Sequence, residues 1–473
     1  MAECTRCERH NLANTNRMIG TGPTNAEVMV IGDYPHIEAD LAGKPFVGKI
    51  PEILKDYFKK AGLDYEDFYY TYAIKCGGDK PTKHEMKQCE PYLHYEITKV
   101  KPKYIVTLGN EALQATTHRS GILKYRGNEL EKTYNFNGVS HDTIVIPTVS
   151  PAAVLRMPKF KKMFEADLEK LHGLLNGGIK QPEHNVVYCM NKEKLNQAYV
   201  RCMEAVEKGL PIGMDLETTG FDYWRPGHII LTMSLSVEND SFPIPLGHPE
   251  SPFRKVWVKV LQLFKPVLEQ GKIVTQNGKF DAKWLWVKAG IWTNMAFDTM
   301  LASYIIDENT PHNLAYLSQV YLKVPSYKSM VDQSNLINEP LHLVMKYNAL
   351  DTHYTVRLYD PLVKQLKEKP RLAVLFKKLM MGAFEMYTRA EILGIWVDRP
   401  LLLQRYDECM NELNRLQTLI DGYISPEFTD LYLTKRYKTK EDKISQFNLN
   451  SPKQKAALLF EPPPVGLGLP ITM

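Results

Sequence analysis

Apolar and polar positions change period several times along the chain. Up to about residue 176, apolar runs of strand length (EVMVIGDYP, KYIVTLGN, DTIVIPTVS) alternate with stretches such as PEILKDYFKKAG and HEMKQCEPYLHYEITKV, which have helical character. Interleaved strands and helices predict an α/β domain on a parallel sheet. The segment NGGIKQPEHN (176–185) then has linker chemistry, because Gly and Pro resist continuing either regular structure, and the linker is set at residues 177–186. Strand-like runs return at PIGMDLETTG, IILTMSLSV and GKIVTQNG and are followed by helical patterns, so residues 187–368 predict a second α/β domain. Between 369 and 473, LFKKLMMGAFEMYTRAEILGIW and LLLQRYDECMNELNRLQTLI carry apolar residues at three- and four-residue spacing and predict amphipathic helices. The closing EPPPVGLGLPITM is too rich in Pro and Gly to be helical.

A chain of 473 residues, at roughly 150 per domain, agrees with three segments. No apolar run approaches the ~20 residues of a membrane helix, and the start, MAECTRCERHN, lacks the apolar stretch of a secretory signal. Both features predict a cytoplasmic protein without a membrane role. The net charge of +5 permits a polyanionic partner without specifying one. Of the seven cysteines, Cys4, Cys7, Cys76 and Cys89 fall in the first domain, which suggests one cysteine-bearing module. Cys189, Cys202 and Cys409 read as structural residues.

The chemistry concentrates in the second domain. In Asp215-Leu216-Glu217 the acids are two apart on a predicted strand, so both carboxylates share a face and can share a cation. Thr218-Thr219-Gly220 ends that strand in a turn, leaving the acids at a sheet edge. Asn277 and Asp281 are four apart where a strand passes into a helix, and Tyr347 and Asp351 are four apart on a predicted helix. Four carboxylates brought together repel unless divalent cations compensate them, and all-oxygen sites favour Mg²⁺ or Mn²⁺. An isolated acid is ordinarily a solvated charge; here spacing and order argue against that. Asn277 also fits a local cap or turn, and Phe280 fits the core better than a substrate contact.

These residues resemble the DEDD exonucleases, in the tyrosine-containing branch found as the proofreading domain of family A DNA polymerases. DTMLASYIID and HNL add to the match, which covers about 187–368. The resemblance implies a ribonuclease H-like domain in which Asp215, Glu217, Asp281 and Asp351 hold two Mg²⁺ or Mn²⁺ and Tyr347 orients the attacking water. It also implies contact of Asn277 with DNA substrate.

In the first domain, Cys4, Cys7, Cys76 and Cys89 could close a zinc site or hold an iron–sulfur cluster. GDYPHIEADLAGKPFVGK, Lys75-Cys76, KPKYIVTLGNEAL and PTVSPAAVLR resemble the family 4 uracil-DNA glycosylases, which carry a [4Fe–4S] cluster. By that resemblance the four cysteines are cluster ligands and Phe46 is the aromatic on which a flipped base stacks. The chain departs from the family pattern at the Asp33–His36 motif, at Tyr72 in place of a base-reading Asn, and at Ser150-Pro151 in place of His-Pro. These departures predict a glycosylase-like domain that binds DNA without excising uracil. YEDFYYTYAIKCGGDK could stack bases, although core strand residues explain it as well.

EILGIWVDRP and FNLNSPKQKAALLF resemble family A polymerase segments that follow the exonuclease and belong to the thumb. No stretch resembles the palm or fingers. The expectation is therefore a 3′-5′ proofreading exonuclease part of a phage-like family A polymerase, acting on DNA 3′ ends, without palm and fingers in this chain, which a second chain could supply. The competing expectations are a DNA-gripping subunit that is inactive alone and a uracil-repair glycosylase.

Overall fold

The computed structural model describes residues 4–470 apart from 16, 179–182, 326, 329 and 435–446. The middle of the expected linker and the final ITM therefore lie outside the described residues. Two compact units are present, Met1–Ile392 and Leu393–Met473.

The first sheet consists of β1 (Val28–Gly32), β2 (Tyr69–Tyr72), β3 (Tyr104–Leu108), β4 (Leu130–Phe136) and β5 (Val139–Thr148), in the order β2-β1-β3-β5-β4. The three apolar runs noted in the sequence form β1, β3 and β5, all parallel, and YYTY adds β2 beside β1. The parallel expectation is corrected at one edge, where β4 pairs antiparallel with β5 across Asn137-Gly138. Both turn residues have positive φ, as a tight hairpin requires. The Tyr69, Tyr70 and Tyr72 rings are buried, so this aromatic run is sheet core.

The second sheet contains β6 (Asn185–Val186), β7 (Pro211–Thr218), β8 (Ile230–Val237), β9 (Asp240–Pro245), β10 (Lys272–Thr275) and β11 (Met295–Asp298), ordered β11-β10-β7-β8-β9-β6. Strand alternation divides it into two chemically different faces. Met214, Leu216, Met233 and Leu235 share an apolar core with Leu195, Ala198 and Cys202 of the helix Lys192–Glu207. On the opposite face Asp215 pairs with Ser234 and Glu217 with Thr232, under the helix Leu341–Arg357. Polar alternation along β8 therefore marks a buried interface: Ser234 and Ser236 hydrogen-bond to Thr352 Oγ1 at 2.8 and 2.7 Å, and Thr232 Oγ1 donates to Asn348 Oδ1 at 3.0 Å. Gly213 allows this approach, since a Cβ there would lie 2.6 Å from the Thr352 carbonyl oxygen.

Arg126 joins the two sheet domains. Its buried guanidinium donates to both Asp167 oxygens, to the Met163 carbonyl, and to Gln319 Oε1 across the boundary at 2.8 Å. Lys162–Asp307 and Lys323–Glu169 ion pairs flank it.

The second unit has a small core of Phe428, Leu433, Phe447, Ala457 and Leu458. Its helix Pro452–Phe460 begins at the Ser451 cap, where the sequence reads NSPKQ. The long helix Arg399–Asp421 forms as expected but contains no buried residue. Cys189 and Cys202 are buried as expected of structural thiols, whereas Cys409 is exposed on that helix, which corrects its structural reading.

Candidate active site

Strand β7 carries Asp215 and Glu217 toward the helix Leu341–Arg357, which returns Asp351 against them. One oxygen from each of these three carboxylates lies within 4.8 Å of the others. The sequence separates Asp351 from the other two by more than a hundred residues; helix-on-sheet packing brings it to them. Asn348, one helical turn before Asp351, donates Nδ2–H to Asp215 Oδ2 at 2.7 Å.

Asp281, in the first turn of the helix Lys279–Ala289, is buried beside this group but outside the close triad. Its Oδ1 accepts the backbone N–H of Leu216 at 3.1 Å, so it also braces the strand that bears the other acids. Asn277 is exposed and has φ +61°, a left-handed turn that Asn tolerates better than most side chains. Its carbonyl accepts from Phe280 N–H, starting the helix that presents Asp281. Phe280 packs against the core as expected.

The electrostatics are those of crowded acids. Burial, followed by the Asp351 charge, pushes the Asp215 carboxyl up to about 8 against the pull of Lys328 and Asn348. Glu217 is raised well above the carboxylate range by burial and then by Asp215 and Asp351. Asp281 is raised by burial and by Asp215. Burial and Asp351 also raise the Tyr347 phenol, keeping it a neutral hydroxyl. A set of buried and half-buried carboxylate oxygens that resist shared negative charge fits a hard divalent cation.

Several participants had no signal strong enough to stand out in the sequence. Lys328 Nζ lies 2.7 and 2.8 Å from the two Asp351 oxygens and 2.6 Å from Tyr347 Oη. Tyr327 donates its hydroxyl to Asp351, and Gln333 Nε2 donates to Tyr347 Oη at 2.9 Å. Asn348 could have been found from its i,i+3 relation to Asp351. Phe221, immediately after the Thr218-Thr219-Gly220 turn, is 91% exposed and its ring meets Phe280 edge-on. Asp298 is a buried acid of another kind: it accepts from Gly278 and Leu301 N–H and fixes the Asn277–Gly278 turn.

The first domain has its own pocket, of about 550 Å³, bordered by Asp33, His36, Phe46, Tyr72, Glu111 and Ser150. Phe46 stacks on Tyr72 with ring centroids 4.9 Å apart and planes 7° from parallel, and its N–H donates to the Tyr72 hydroxyl. Asp33 accepts from Ala112 N–H at 2.8 Å, while burial and then Glu111 raise its carboxyl to about 7. Ser150 caps the helix Pro151–Arg156 by accepting from Ala153 N–H.

Cys4, Cys7, Cys76 and Cys89 come together near the chain start. Burial raises Cys76 and Cys89, with smaller contributions from the neighbouring thiols, and Arg17 N–H donates to Cys76 Sγ at 3.4 Å. Convergent thiols with an N–H donor suit a metal or cluster.

The fold and the carboxylate group define a nuclease-type α/β domain, attached to a second α/β domain with a pocket of its own. Comparison with known proteins agrees. Residues 190–367 match the 3′-5′ exonuclease family and residues 19–172 the uracil DNA glycosylase superfamily. The type-4 uracil-DNA glycosylase of Sulfurisphaera tokodaii is 33% identical over 180 residues, covering 36% of this chain and 80% of that protein. The DNA polymerase of Bacillus phage SP01 is 26% identical over 475 residues, covering 90% of this chain and 49% of the polymerase. For the DNA polymerase of Escherichia phage T5 the identity is 24% over 380 residues, with coverages of 76% and 42%. The chain belongs to the uracil-DNA glycosylase superfamily through its first domain, and continues into a 3′-5′ exonuclease domain, matching the N-terminal part of phage-type family A polymerases. It spans about half the length of the phage polymerases it matches. The exonuclease match does not favour a subunit that only grips DNA. Among the described residues no helix is long and apolar enough to cross a membrane.

Proposed function

We propose that residues 187–368 remove nucleotides from DNA 3′ ends as the proofreading part of a family A polymerase. In this reading Asp215, Glu217, Asp281 and Asp351 hold two Mg²⁺ or Mn²⁺. The observation that carries it is the meeting of Asp215, Glu217 and Asp351 within 4.8 Å, where the neighbouring carboxylates raise the proton affinity of Asp215 and Glu217. The cations, when bound, supply Lewis-acid polarisation of a phosphodiester and a water made acidic near neutral pH. Asn348 fixes the Asp215 carboxylate, and the Leu216 N–H orients Asp281. Tyr347, neutral and positioned by Gln333, offers its hydroxyl to orient the attacking water. Asn277 and exposed Phe221 border the approach of the strand end.

A 3′-mismatched primer-template incubated with Mg²⁺ tests this, beside Asp215→Ala and Asp281→Ala variants and a chelated control. Stepwise shortening from the 3′ end by wild type, abolished by both substitutions and by chelation, is expected. A folded wild-type protein that leaves the primer intact refutes the reading.

For the first domain we propose DNA binding without uracil excision, because the Tyr72 ring occupies the stacking surface that Phe46 would offer a flipped base. Cys4, Cys7, Cys76 and Cys89 are assigned as ligands of a [4Fe–4S] cluster. The likeness of the first domain to type-4 uracil-DNA glycosylases supports a cluster over zinc, and the N–H of Arg17 donating to Cys76 Sγ suits a cluster ligand. Release of uracil from a uracil-containing oligonucleotide would overturn the first assignment. Stoichiometric zinc in place of iron and sulfide would overturn the second.

A further inference from the structure

We infer that Lys328 is the built-in counter-ion of the carboxylate site: its ammonium holds Asp351 while divalent cations are absent and competes with them for that carboxylate. The inference rests on the metal-site reading above. Both Asp351 oxygens are engaged by one Nζ, at 2.7 and 2.8 Å, so neither is uncommitted. Tyr327 adds a hydroxyl donor to the same carboxylate. The Lys328 ammonium lies over the Tyr347 ring at 4.5 Å and the Tyr327 ring at 5.1 Å, and donates to Tyr347 Oη. Its charge is felt across the site, opposing the rise in proton affinity of both Asp215 and Glu217.

An ammonium and a divalent cation cannot share this space. They repel, and the oxygens that solvate one are the ligands the other needs. Cation binding at Asp351 therefore includes withdrawal of Lys328. The fold permits that movement: Lys328 lies outside any helix or strand, and its side chain is 27% exposed, giving it a route to solvent. Among the described residues no other Lys or Arg forms an ion pair with Asp215, Glu217, Asp281 or Asp351. When a binding-competent state is populated only fractionally, apparent affinity falls by that fraction. A lysine seated about nine-tenths of the time accordingly weakens cation binding by about tenfold.

The test uses the full chain, freed of divalent cations and without DNA. Mn²⁺ is titrated by calorimetry into wild type, Lys328→Met, Lys328→Gln and Asp215→Ala, and each is melted in EDTA and in saturating Mn²⁺. Both Lys328 variants are expected to bind Mn²⁺ about tenfold more tightly, and to melt lower than wild type in EDTA but recover with Mn²⁺. Loss of a merely structural contact would not tighten cation binding. Unchanged or weakened Mn²⁺ affinity in the folded Lys328 variants, with Asp215→Ala losing the binding heat, overturns the counter-ion role while leaving the metal site standing. Mn²⁺ binding by Asp215→Ala equal to wild type overturns the metal-site reading itself, and the inference with it. The Gln variant retains a hydrogen-bond donor for Tyr347 and keeps the test open should Met disturb folding.

Discussion

Gly213→Ala adds one methyl group at the closest approach between β7 and the helix Leu341–Arg357. The new Cβ would lie 2.6 Å from the Thr352 carbonyl oxygen and 3.0 Å from Val356 Cβ, whereas ordinary contact begins at 3.4 Å. The nearest obstacle is backbone, so no side-chain rotation relieves it, and strand and helix must separate by about 0.8 Å, the difference between 3.4 and 2.6 Å. Thr352 adjoins Asp351, so that separation carries Asp351 and Tyr347 away from Asp215 and Glu217. Overpacking of this kind costs roughly 1–3 kcal/mol, read as a lowered urea midpoint. A misplacement near 1 Å lowers the rate by about 10²-fold, read as single-turnover shortening of a 3′-mismatched primer at saturating Mg²⁺. Gly382→Ala is the control: it lies in the helix Met381–Leu393 with nothing within 4 Å of a Cβ, and should gain roughly 0.5–1 kcal/mol. Gly213→Ala that retains wild-type stability and a rate within about twofold would refute the argument that this glycine sets the helix position.

Arg126→Ala leaves Asp167 buried without its guanidinium and should cost about 3–5 kcal/mol in urea unfolding; a loss under about 1 kcal/mol would contradict the assigned network. Arg126→Lys should recover little, because one ammonium cannot reach Asp167, Met163 and Gln319 together. In the absence of divalent cations the folded Asp215 carboxyl binds its proton more tightly than the unfolded one, near 8 against 3.8, so its contribution to stability is present below about pH 4 and lost as pH rises toward 8. Differential melting should show that decline, reduced in Asp215→Asn and offset by Mn²⁺; a flat profile would contradict it. His353 acts in the opposite direction: burial, then His184 and Arg357, lowers it from 6.5 to about 3, so stability is lost as pH falls below 6.5. His353→Leu should flatten that acid limb at little cost near neutrality, since neither ring nitrogen has a hydrogen-bond partner among the described residues; an unchanged acid limb would refute the assignment.

The sequence by itself determined the local faces. Two-residue spacing placed Asp215 and Glu217 on one side of β7, and four-residue spacing placed Tyr347 and Asp351 on one side of a helix, because backbone geometry dictates those periods wherever the segments are packed. The apolar runs marked β1, β3, β5, β7, β8 and β10 for the same reason. Tertiary structure alone decided which faces meet. Polar alternation in β8 is equally compatible with solvent, and only the helix laid across it turns Thr232, Ser234 and Ser236 into buried partners. Packing sets Asp281 beside the close triad, where one of its oxygens accepts the Leu216 N–H. Tyr72 is visible as a substitution, yet its stacking on Phe46 depends on how β2 and the Phe46 loop pack. Lys328 lies in an irregular segment with no period, and nothing near it in sequence announces that its ammonium rests on Asp351, 23 residues away. Periodicity is a property of the local backbone, whereas an ion pair or ring stack forms between segments whose proximity is set by burial of the whole core.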